Sequence, residues 1–242
     1  YARGGILGPL RDKNSLPMLT VQGFGDHQVA MNLAAGVLAA LFKAKMTGEG
    51  DHVVVSLFHS AIWDISLMLQ ASQYGADSTQ YPMERWKLGN PLVLCYETAD
   101  GQWLQIAMPQ YDRHYPILMN AMGYPELADD ARYYPQKNLI PNREEFSAWI
   151  TAEFKKKTCD EWCKLLDAND LPYAIAQEWD SLLEDKQAWA SDCFYEMSYS
   201  NGNKRTLVRP PVLFDQMGLP PYERGPYLGE QTKDILGELG YS

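Results

Sequence analysis

The chain has 242 residues, 46% of them hydrophobic and 12% aromatic, which is typical of globular domains and excludes a disordered chain. This length is enough for one large domain or two smaller ones with a substantial core. The formal net charge of −10 argues against general binding to a nucleic-acid backbone, so we expect no nucleic acid as a partner. No apolar run reaches the roughly 18 to 20 residues that span a bilayer, so we also expect no membrane association.

The cysteine and histidine patterns favour free thiols over a metal site. Cys159 and Cys163 lie four residues apart on a predicted helix, and no histidine is close to them in sequence. A metal site would need two more ligands nearby, so we expect no bound metal. Free thiols are typical of a reducing compartment, which predicts a cytoplasmic protein.

The first third of the chain predicts a helix, a strand and a helix. His27–Met46 has no proline, is rich in alanine and leucine, and is followed by Gly48, which predicts a helix with a glycine stop. Asp51–Leu57 is a short β-branched run and predicts a buried strand. Phe58–Tyr74 returns to a helical period and predicts a second helix. This order fits the end of an α/β unit.

The periodicity fades between residues 75 and 90 and returns in shorter elements. The Asp100-Gly101 pair is a strong hairpin signal between two predicted strands. The two strands of this hairpin are predicted at Pro91–Tyr96 and Trp103–Met108. Three further strands are predicted at Pro172–Gln177, Phe194–Tyr199 and Arg205–Val208, and the last two form a second hairpin. The predicted helices are Arg113–Met122, Pro125–Ala131, Arg143–Lys156, Thr158–Ala168, Ser181–Ala190 and Gln231–Leu239.

The segment Gly-Phe-Gly-Asp-His at residues 23–27 places one carboxylate between a glycine-rich turn and the long predicted helix. Asp26 is the predicted N-cap of this helix. An N-cap aspartate accepts a hydrogen bond from an early backbone N–H and often does nothing more. The same free N–H groups and the helix dipole also favour an anion, and a carboxylate held there could act as a nucleophile toward an activated acyl group.

Several separated stretches resemble the family III CoA-transferases. The sequence Gly-Phe-Gly-Asp-His-Gln at 23–28 is followed in the same order by an alanine-rich helix and by Val53–Leu57. The opening Ala2–Gly5 and the later Leu228–Thr232 are also similar to segments of that family. Within the family, Met108–Asp112 is similar to the 2-hydroxyacyl branch, such as the phenyllactate and 2-hydroxyisocaproate CoA-transferases.

The resemblance implies an α/β fold, with the C-terminal part of a Rossmann-like large domain and a smaller α+β domain. It assigns residues 1–75 to the large domain, 76–90 to a linker, 91–210 to the small domain and 211–242 to a return to the large domain. It also implies an interlocked homodimer. The N-terminal half of the family, with most contacts to CoA, is expected to be absent from this chain, with a separate polypeptide as one source. The CoA-binding residues are therefore unknown.

The resemblance also implies an activity, namely reversible transfer of CoA between an acyl-CoA and a free carboxylic acid, here a 2-hydroxy acid. The CoA thioester is then a substrate, and no cofactor is permanently bound. The family's nucleophile matches Asp26, which forms an acyl anhydride and then an aspartyl-CoA thioester. Gly25 would leave room for the acyl group, and the backbone N–H groups of His27 and Gln28 would bind the developing oxyanion.

Two alternatives remain open. A 2-methylacyl-CoA racemase of the same superfamily would move a proton at the α-carbon with a His/Asp pair. The racemase motif reads Asp-Phe-Ala-Gly-Gly, whereas this chain has Asp-His-Gln-Val at 26–29. The other alternative is an inactive fragment or subunit without its own turnover.

Overall fold

The computed structural model describes residues 1–13, 15–74, 84–87, 89–214 and 223–241. The helices in this part of the chain are α1 (Phe24–Thr47), α2 (Leu57–Asp64), α3 (Ser66–Gln73), α4 (Tyr111–Met122), α5 (Gln136–Leu139), α6 (Arg143–Phe154), α7 (Cys159–Ala168), α8 (Trp179–Leu183), α9 (Lys186–Ala190) and α10 (Thr232–Glu238). The strands are β1 (Cys95–Glu97), β2 (Trp103–Ile106), β3 (Tyr173–Ile175), β4 (Phe194–Ser198) and β5 (Lys204–Val208).

The chain divides into two compact units, Tyr1–Ala176 and Gln177–Ser242. This boundary differs from the predicted ones after residues 75, 90 and 210, and the domain assignment by resemblance stays a prediction. The predicted linker at 76–90 lies outside the described residues, apart from 84–87, 89 and 90.

The long predicted helix is confirmed as α1, but it begins three residues earlier than expected. Gly23 adopts the left-handed conformation (φ 78°) immediately before the helix, and Gly48 adopts it (φ 77°) immediately after. Glycine reaches this region without the steric penalty of a Cβ, so both ends are set by the backbone alone. The prediction that Asp26 is the N-cap is therefore wrong, because Gly23 occupies that position and Asp26 is the third residue of the helix.

Helix α1 is apolar around its circumference, and none of its residues is buried. Its 24 residues include a window with a mean hydropathy of 1.4, which is long and apolar enough to cross a membrane by length and composition alone. The expectation that no segment reaches this length is therefore wrong. The test is weak evidence for a membrane span, because the core helix of a globular protein passes it as well.

The buried strand predicted at Asp51–Leu57 is not formed. Residues 51–56 belong to no helix or strand and pair with no strand among the described residues, and Val53 and Val55 are only half-buried. A β-branched run favours extended backbone, but a strand also needs a neighbouring strand for its hydrogen bonds. The segment packs closely on α1 instead, since a Cβ at Gly36 would lie 2.8 Å from Cγ1 of Val53.

The single helix predicted at Phe58–Tyr74 is two helices, α2 and α3, separated at Ile65. Ile65 has φ −102° and ψ 9°, outside the helical range. Helix α2 has a side-chain N-cap, because Oγ of Ser56 accepts a hydrogen bond from the N–H of His59 at 3.1 Å. Helix α2 is therefore short, because the Ser56 cap sets its start and the non-helical Ile65 sets its end.

The predicted hairpin at Asp100-Gly101 is confirmed. Strands β1 and β2 are antiparallel, with Tyr96 opposite Leu104, and β3 adds an antiparallel third strand on the other side of β2. Gly101 has φ 78°, as a tight turn of this kind requires. Leu104 and Ile106 face the core and are fully buried.

The core of the first unit is aromatic and lies between this sheet and helices α4, α6 and α7. Tyr96 stacks on Phe154 with ring centroids 4.6 Å apart, and Phe154 contacts Trp162 at 4.5 Å. The polar atoms of these rings are paired, since Tyr96 Oη donates to the carbonyl of Pro91 at 2.7 Å and Trp162 Nε1 to that of Phe154 at 2.8 Å. Burial therefore leaves no unsatisfied group on these rings.

One carboxylate joins the β1–β2 turn to the start of α7. Asp100 accepts hydrogen bonds from Oγ1 of Thr98 at 2.5 Å and from the N–H of Cys159 at 3.1 Å. These bonds favour the ionised form, the Thr98 bond most, so the pKa of Asp100 is lowered from its usual value of 3.8. Helix α7 also carries a capping box between Thr158 and Glu161.

We expect Asp100→Asn to lower the urea midpoint of unfolding at pH 7. Because the folded-state pKa is lowered, the contribution of Asp100 is complete above its unfolded pKa and is lost as the pH falls through the lower folded value. The difference between wild type and variant should therefore shrink below pH 4. Asp129→Asn, at an exposed carboxylate, is the control. A difference that is the same at pH 7 and pH 3 would contradict this interpretation.

The second unit contains α8, α9, the hairpin β4–β5 and α10. The predicted hairpin is confirmed, with Met197 opposite Arg205. The helix predicted at Ser181–Ala190 is two helices, because Asp185 interrupts it and caps α9 by accepting from the N–H of Ala188 at 2.8 Å. All four cysteines of the chain are free thiols, as predicted.

Candidate active site at the start of the first helix

A cavity of about 330 Å³ lies at the N-terminal end of α1. Its walls are the loop at 20–23, the first turn of α1 and one side of α2, with Tyr1 at its edge. Of the residues predicted from the sequence, Gly25, Asp26 and Gln28 line this cavity. His27 is not among the lining residues. The volume is in the range of small-molecule sites.

The backbone donors at this end of α1 differ from those predicted. The N–H of His27 donates to the carbonyl of Gly23 at 3.0 Å and is the first hydrogen bond of the helix. The N–H of Gln28 is the next donor in the same series of helical hydrogen bonds. The prediction that His27 and Gln28 supply oxyanion donors therefore has to be corrected. Gly25 and Asp26 precede this series, and their N–H groups have no intrahelical acceptor.

The electrostatics of this helix end favour an anion. Free N–H groups and aligned peptide dipoles place about half a positive charge at a helix N-terminus. Gly23 has no side chain that could occupy these donors, and the helix has no side-chain cap. Asp26 is exposed and stands in the first turn, where its carboxylate is available to a ligand in the cavity.

Two pairs of polar side chains connect α1 to α2. Nδ2 of Asn32 donates to Oγ of Ser60 at 2.9 Å, and Ser60 is only 6% exposed. One turn away on each helix, the Gln28 carboxamide faces the Asp64 carboxylate. In the orientation that satisfies both groups, Nε2 of Gln28 donates to Oδ1 at 2.9 Å and to Oδ2 at 3.2 Å. The pairs fix the side of α2 that forms the wall of the cavity.

Close backbone packing brings the start of the chain to the same place. A Cβ on Gly4 would lie 2.4 Å from Cβ of Ala61, so only glycine allows this approach to α2. A Cβ on Gly25 would lie 2.6 Å from the ring of Tyr1, which covers the first turn of α1. The Tyr1 ring also contacts Phe24, with centroids 5.9 Å apart.

The hydroxyl of Tyr1 is buried and has no hydrogen-bond partner among the described residues. Burial raises the pKa of Tyr1 above its usual value, and the negative charges of Asp64 and, to a smaller extent, Asp26 raise it further. Both carboxylates therefore lie within electrostatic reach of one phenol oxygen. This hydroxyl is neutral at physiological pH.

Sequence reasoning missed Asn32, Ser60 and Asp64, although a signal for them exists. Gln28 and Asn32 are four residues apart on a mostly apolar helix, and Ser60 and Asp64 have the same spacing on the next one. Polar residues at i and i+4 share one helix face, so two such pairs can meet when the helices pack.

The described residues contain no group of three or more histidine, cysteine, aspartate or glutamate side chains that could hold a metal ion. A second cleft of about 320 Å³, lined by α2 and residues 54–56, shares Ser60 with the first. It contains His59 but no carboxylate among its lining residues. Of these two cavities, the first combines carboxylates with the N-terminal backbone donors of α1.

We expect the Asn32–Ser60 pair to contribute measurably to stability. A double-mutant cycle with Asn32→Ala and Ser60→Ala should give a coupling energy of about 0.5–1.5 kcal/mol in urea unfolding, the net value of a typical intramolecular hydrogen bond. Ser72, which donates to Leu69 within its own helix, is the control partner and should give no coupling with Asn32. Additive effects of Asn32→Ala and Ser60→Ala would show that the pair does not hold the helices together.

Solved structures of other proteins share this fold. Crystal structures of Rv3272 from Mycobacterium tuberculosis and of a CaiB/BaiF family protein from Brucella suis match with TM-scores of 0.79 and 0.77, each at 23% identity. They cover 96% and 98% of this chain, and the chain covers 61% of each of them. This likeness confirms the predicted fold class.

Curated proteins are also similar over the whole chain. The cinnamoyl-CoA:phenyllactate CoA-transferase of Clostridium sporogenes is 45% identical, and the (R)-2-hydroxy-4-methylpentanoate CoA-transferase of Clostridioides difficile is 36% identical, both over 100% of this chain. The human alpha-methylacyl-CoA racemase is 22% identical over 86% of it. The chain spans only 59% and 60% of the length of the first two relatives.

The family model for CoA-transferase family III matches residues 1–232, nearly the whole chain. The match includes α1, α2 and the cavity between them. The chain belongs to CoA-transferase family III.

Proposed function

We propose that the chain carries the nucleophile of an enzyme that moves CoA between an acyl-CoA and a free carboxylic acid, with a 2-hydroxy acid as one substrate. The observation that carries this proposal is the position of Asp26. It lies in the first turn of a helix without a side-chain cap, at a cavity beside two backbone N–H groups that have no acceptor among the described residues. Family membership supports the reaction class. The names of the two clostridial relatives support a 2-hydroxy acid as substrate.

In the first step, the Asp26 carboxylate attacks the carbonyl carbon of the donor thioester. The C–S bond breaks, CoA leaves as the thiolate, and a mixed anhydride joins the donor acyl group to Asp26. The N–H groups of Gly25 and Asp26 are the donors that would stabilise the tetrahedral oxyanion. They replace the donors that the sequence predicted at His27 and Gln28.

In the second step, the CoA thiolate attacks the Asp26 carbonyl carbon of the anhydride. The donor acid leaves as a carboxylate, and an aspartyl-CoA thioester remains. The acceptor carboxylate then attacks this thioester, and the two steps run in reverse to restore Asp26. A carboxylate suits this role because its anhydride and thioester are close in energy to those of the substrates, so each step is reversible.

A racemase of the same superfamily is supported less well. The racemase similarity is more distant than that to the two hydroxyacid CoA-transferases. His27, the nearest histidine to Asp26 in sequence, does not line the cavity. Proton exchange at the α-carbon by these two residues would need both side chains at one substrate atom.

We further propose that the complete enzyme contains the rest of the family's length, either in one polypeptide or as a separate chain, and that it forms a homodimer in the cytoplasm. The unburied apolar residues of α1 support this proposal, because they need a partner surface. A protein surface is favoured over lipid as that partner, because the chain spans only about three fifths of its relatives. If the chain were isolated from this partner, it would be the inactive fragment or subunit that the sequence left open as an alternative.

We expect Asp26→Asn to lower kcat for CoA transfer by at least about 10³-fold, the scale of removing an enzyme nucleophile. The amide keeps the size of the side chain but cannot form the anhydride. The measurement is the rate of new acyl-CoA formation by the full-length enzyme, followed by liquid chromatography and mass spectrometry. Asp160→Asn, at an exposed residue paired with Lys164, is the control and should retain activity. Full activity of Asp26→Asn would exclude the mechanism.

A further inference from the structure

A second carboxylate lines the cavity that contains Asp26. Asp64 is exposed, lies at the last position of α2 and lines the same cavity as Gly25 and Asp26. Its charge and that of Asp26 both act on the Tyr1 hydroxyl at the edge of this cavity. The transferase steps above give Asp64 no role.

Gln28 orients Asp64. In the amide orientation that satisfies both groups, Nε2 of Gln28 donates to both oxygens of Asp64, at 2.9 and 3.2 Å. Gln28 is two residues after Asp26 on the same rigid helix, so α1 positions both carboxylates. A carboxylate has about four lone-pair sites, and Gln28 occupies at most two of them. Asp64 can therefore still accept hydrogen bonds from a ligand in the cavity.

An unused carboxylate at this place is unfavourable for the proposed reaction. The acid substrate arrives as a carboxylate, and the reaction passes through an oxyanion, so a fixed negative charge nearby repels both. The repulsion is offset if the substrate brings a hydrogen-bond donor to Asp64. In a 2-hydroxy acid this donor lies one carbon from the reacting carboxyl group. Its hydroxyl would then reach a group that lines the same cavity as Asp26.

We propose that Asp64, oriented by Gln28, accepts a hydrogen bond from the 2-hydroxyl of the acid substrate and so selects 2-hydroxy acids over acids that lack this group. The inference rests on the proposed function and adds the residue that determines its substrate class. Selection works in two directions, since Asp64 binds the hydroxyl of the correct acid and repels an acid without it. Asp64 makes no covalent bond in this role.

The same contact also contributes to the choice between the two enantiomers of the substrate. The carboxyl carbon is fixed by its reaction with Asp26, and the hydroxyl is fixed by Asp64. With these two groups fixed, the enantiomers differ in where the third substituent, the side chain, must lie, and the cavity wall, which includes Leu57 and Ala61, favours one of the two positions. A merely structural role of Asp64 would leave the ratio of the two enantiomers unchanged.

The test compares wild type, Asp64→Asn and Gln28→Met in the full-length enzyme with one acyl-CoA donor. The acceptors are both enantiomers of phenyllactate and of 2-hydroxy-4-methylpentanoate, and their 2-deoxy analogues 3-phenylpropionate and 4-methylpentanoate. We expect Asp64→Asn to lower the ratio of kcat/KM for the 2-hydroxy acid to that for its deoxy analogue by roughly 10- to 100-fold, the value of a hydrogen bond to a charged group. The enantiomer ratio should fall with it, and kcat/KM for the deoxy acid should stay the same or rise.

Gln28→Met keeps the length of the side chain but removes the amide that orients Asp64. We expect the same changes in both ratios, but smaller ones. Asp129→Asn is the matched control and should leave both ratios as in wild type. Its carboxylate is exposed and lies outside the cavity lining.

The outcomes separate this inference from the proposed function. If wild type transfers CoA to the acids and Asp64→Asn changes neither ratio, the role of Asp64 is wrong and the transferase function stands. If Asp64→Asn lowers kcat/KM equally for all acids, Asp64 supports the structure of the site but does not bind the hydroxyl, and the inference is again wrong. If wild type transfers CoA to none of the acids while remaining folded, the proposed function fails and this inference fails with it.

Discussion

The left-handed conformation of Gly23 is the constraint on which the candidate site depends. Because φ is 78° there, the chain turns directly into α1 without a side chain that could bind the first backbone donors. The N–H groups of Gly25 and Asp26 have no hydrogen-bond acceptor among the described residues, and the helix end favours a bound anion. A serine or aspartate cap at residue 23 would occupy these donors.

The second requirement is a wall opposite this helix end, and α2 supplies it. The Asn32–Ser60 and Gln28–Asp64 pairs connect the two helices at matching spacing, one turn apart on each. Gly4 allows the start of the chain to pack directly against α2. Polar pairs and close glycine packing thus fix the cavity, while the apolar surface of α1 stays uncovered in this chain.

Local sequence patterns predicted α1, the hairpin at Asp100-Gly101 and the β4–β5 hairpin, because helix propensity and turn chemistry act over a few residues. They misplaced the start of α1, since a capping aspartate and an uncapped glycine turn look alike in sequence. They also predicted a strand at Asp51–Leu57 from β-branched residues, although a strand depends on a partner that local patterns do not contain. Asp64 was missed for the same reason, because its relation to Asp26 arises only when α2 packs on α1.

Trapping the covalent intermediate tests the role of Asp26 most directly. The full-length enzyme is incubated with an acyl-CoA, treated with hydroxylamine, digested, and mapped by mass spectrometry. Hydroxylamine attacks an aspartyl thioester or anhydride and leaves a hydroxamate on the aspartate. The proposed mechanism predicts this hydroxamate on Asp26 and on no other carboxylate of the cavity, Asp64 included. An unmodified Asp26 in an enzyme that transfers CoA under the same conditions would contradict it.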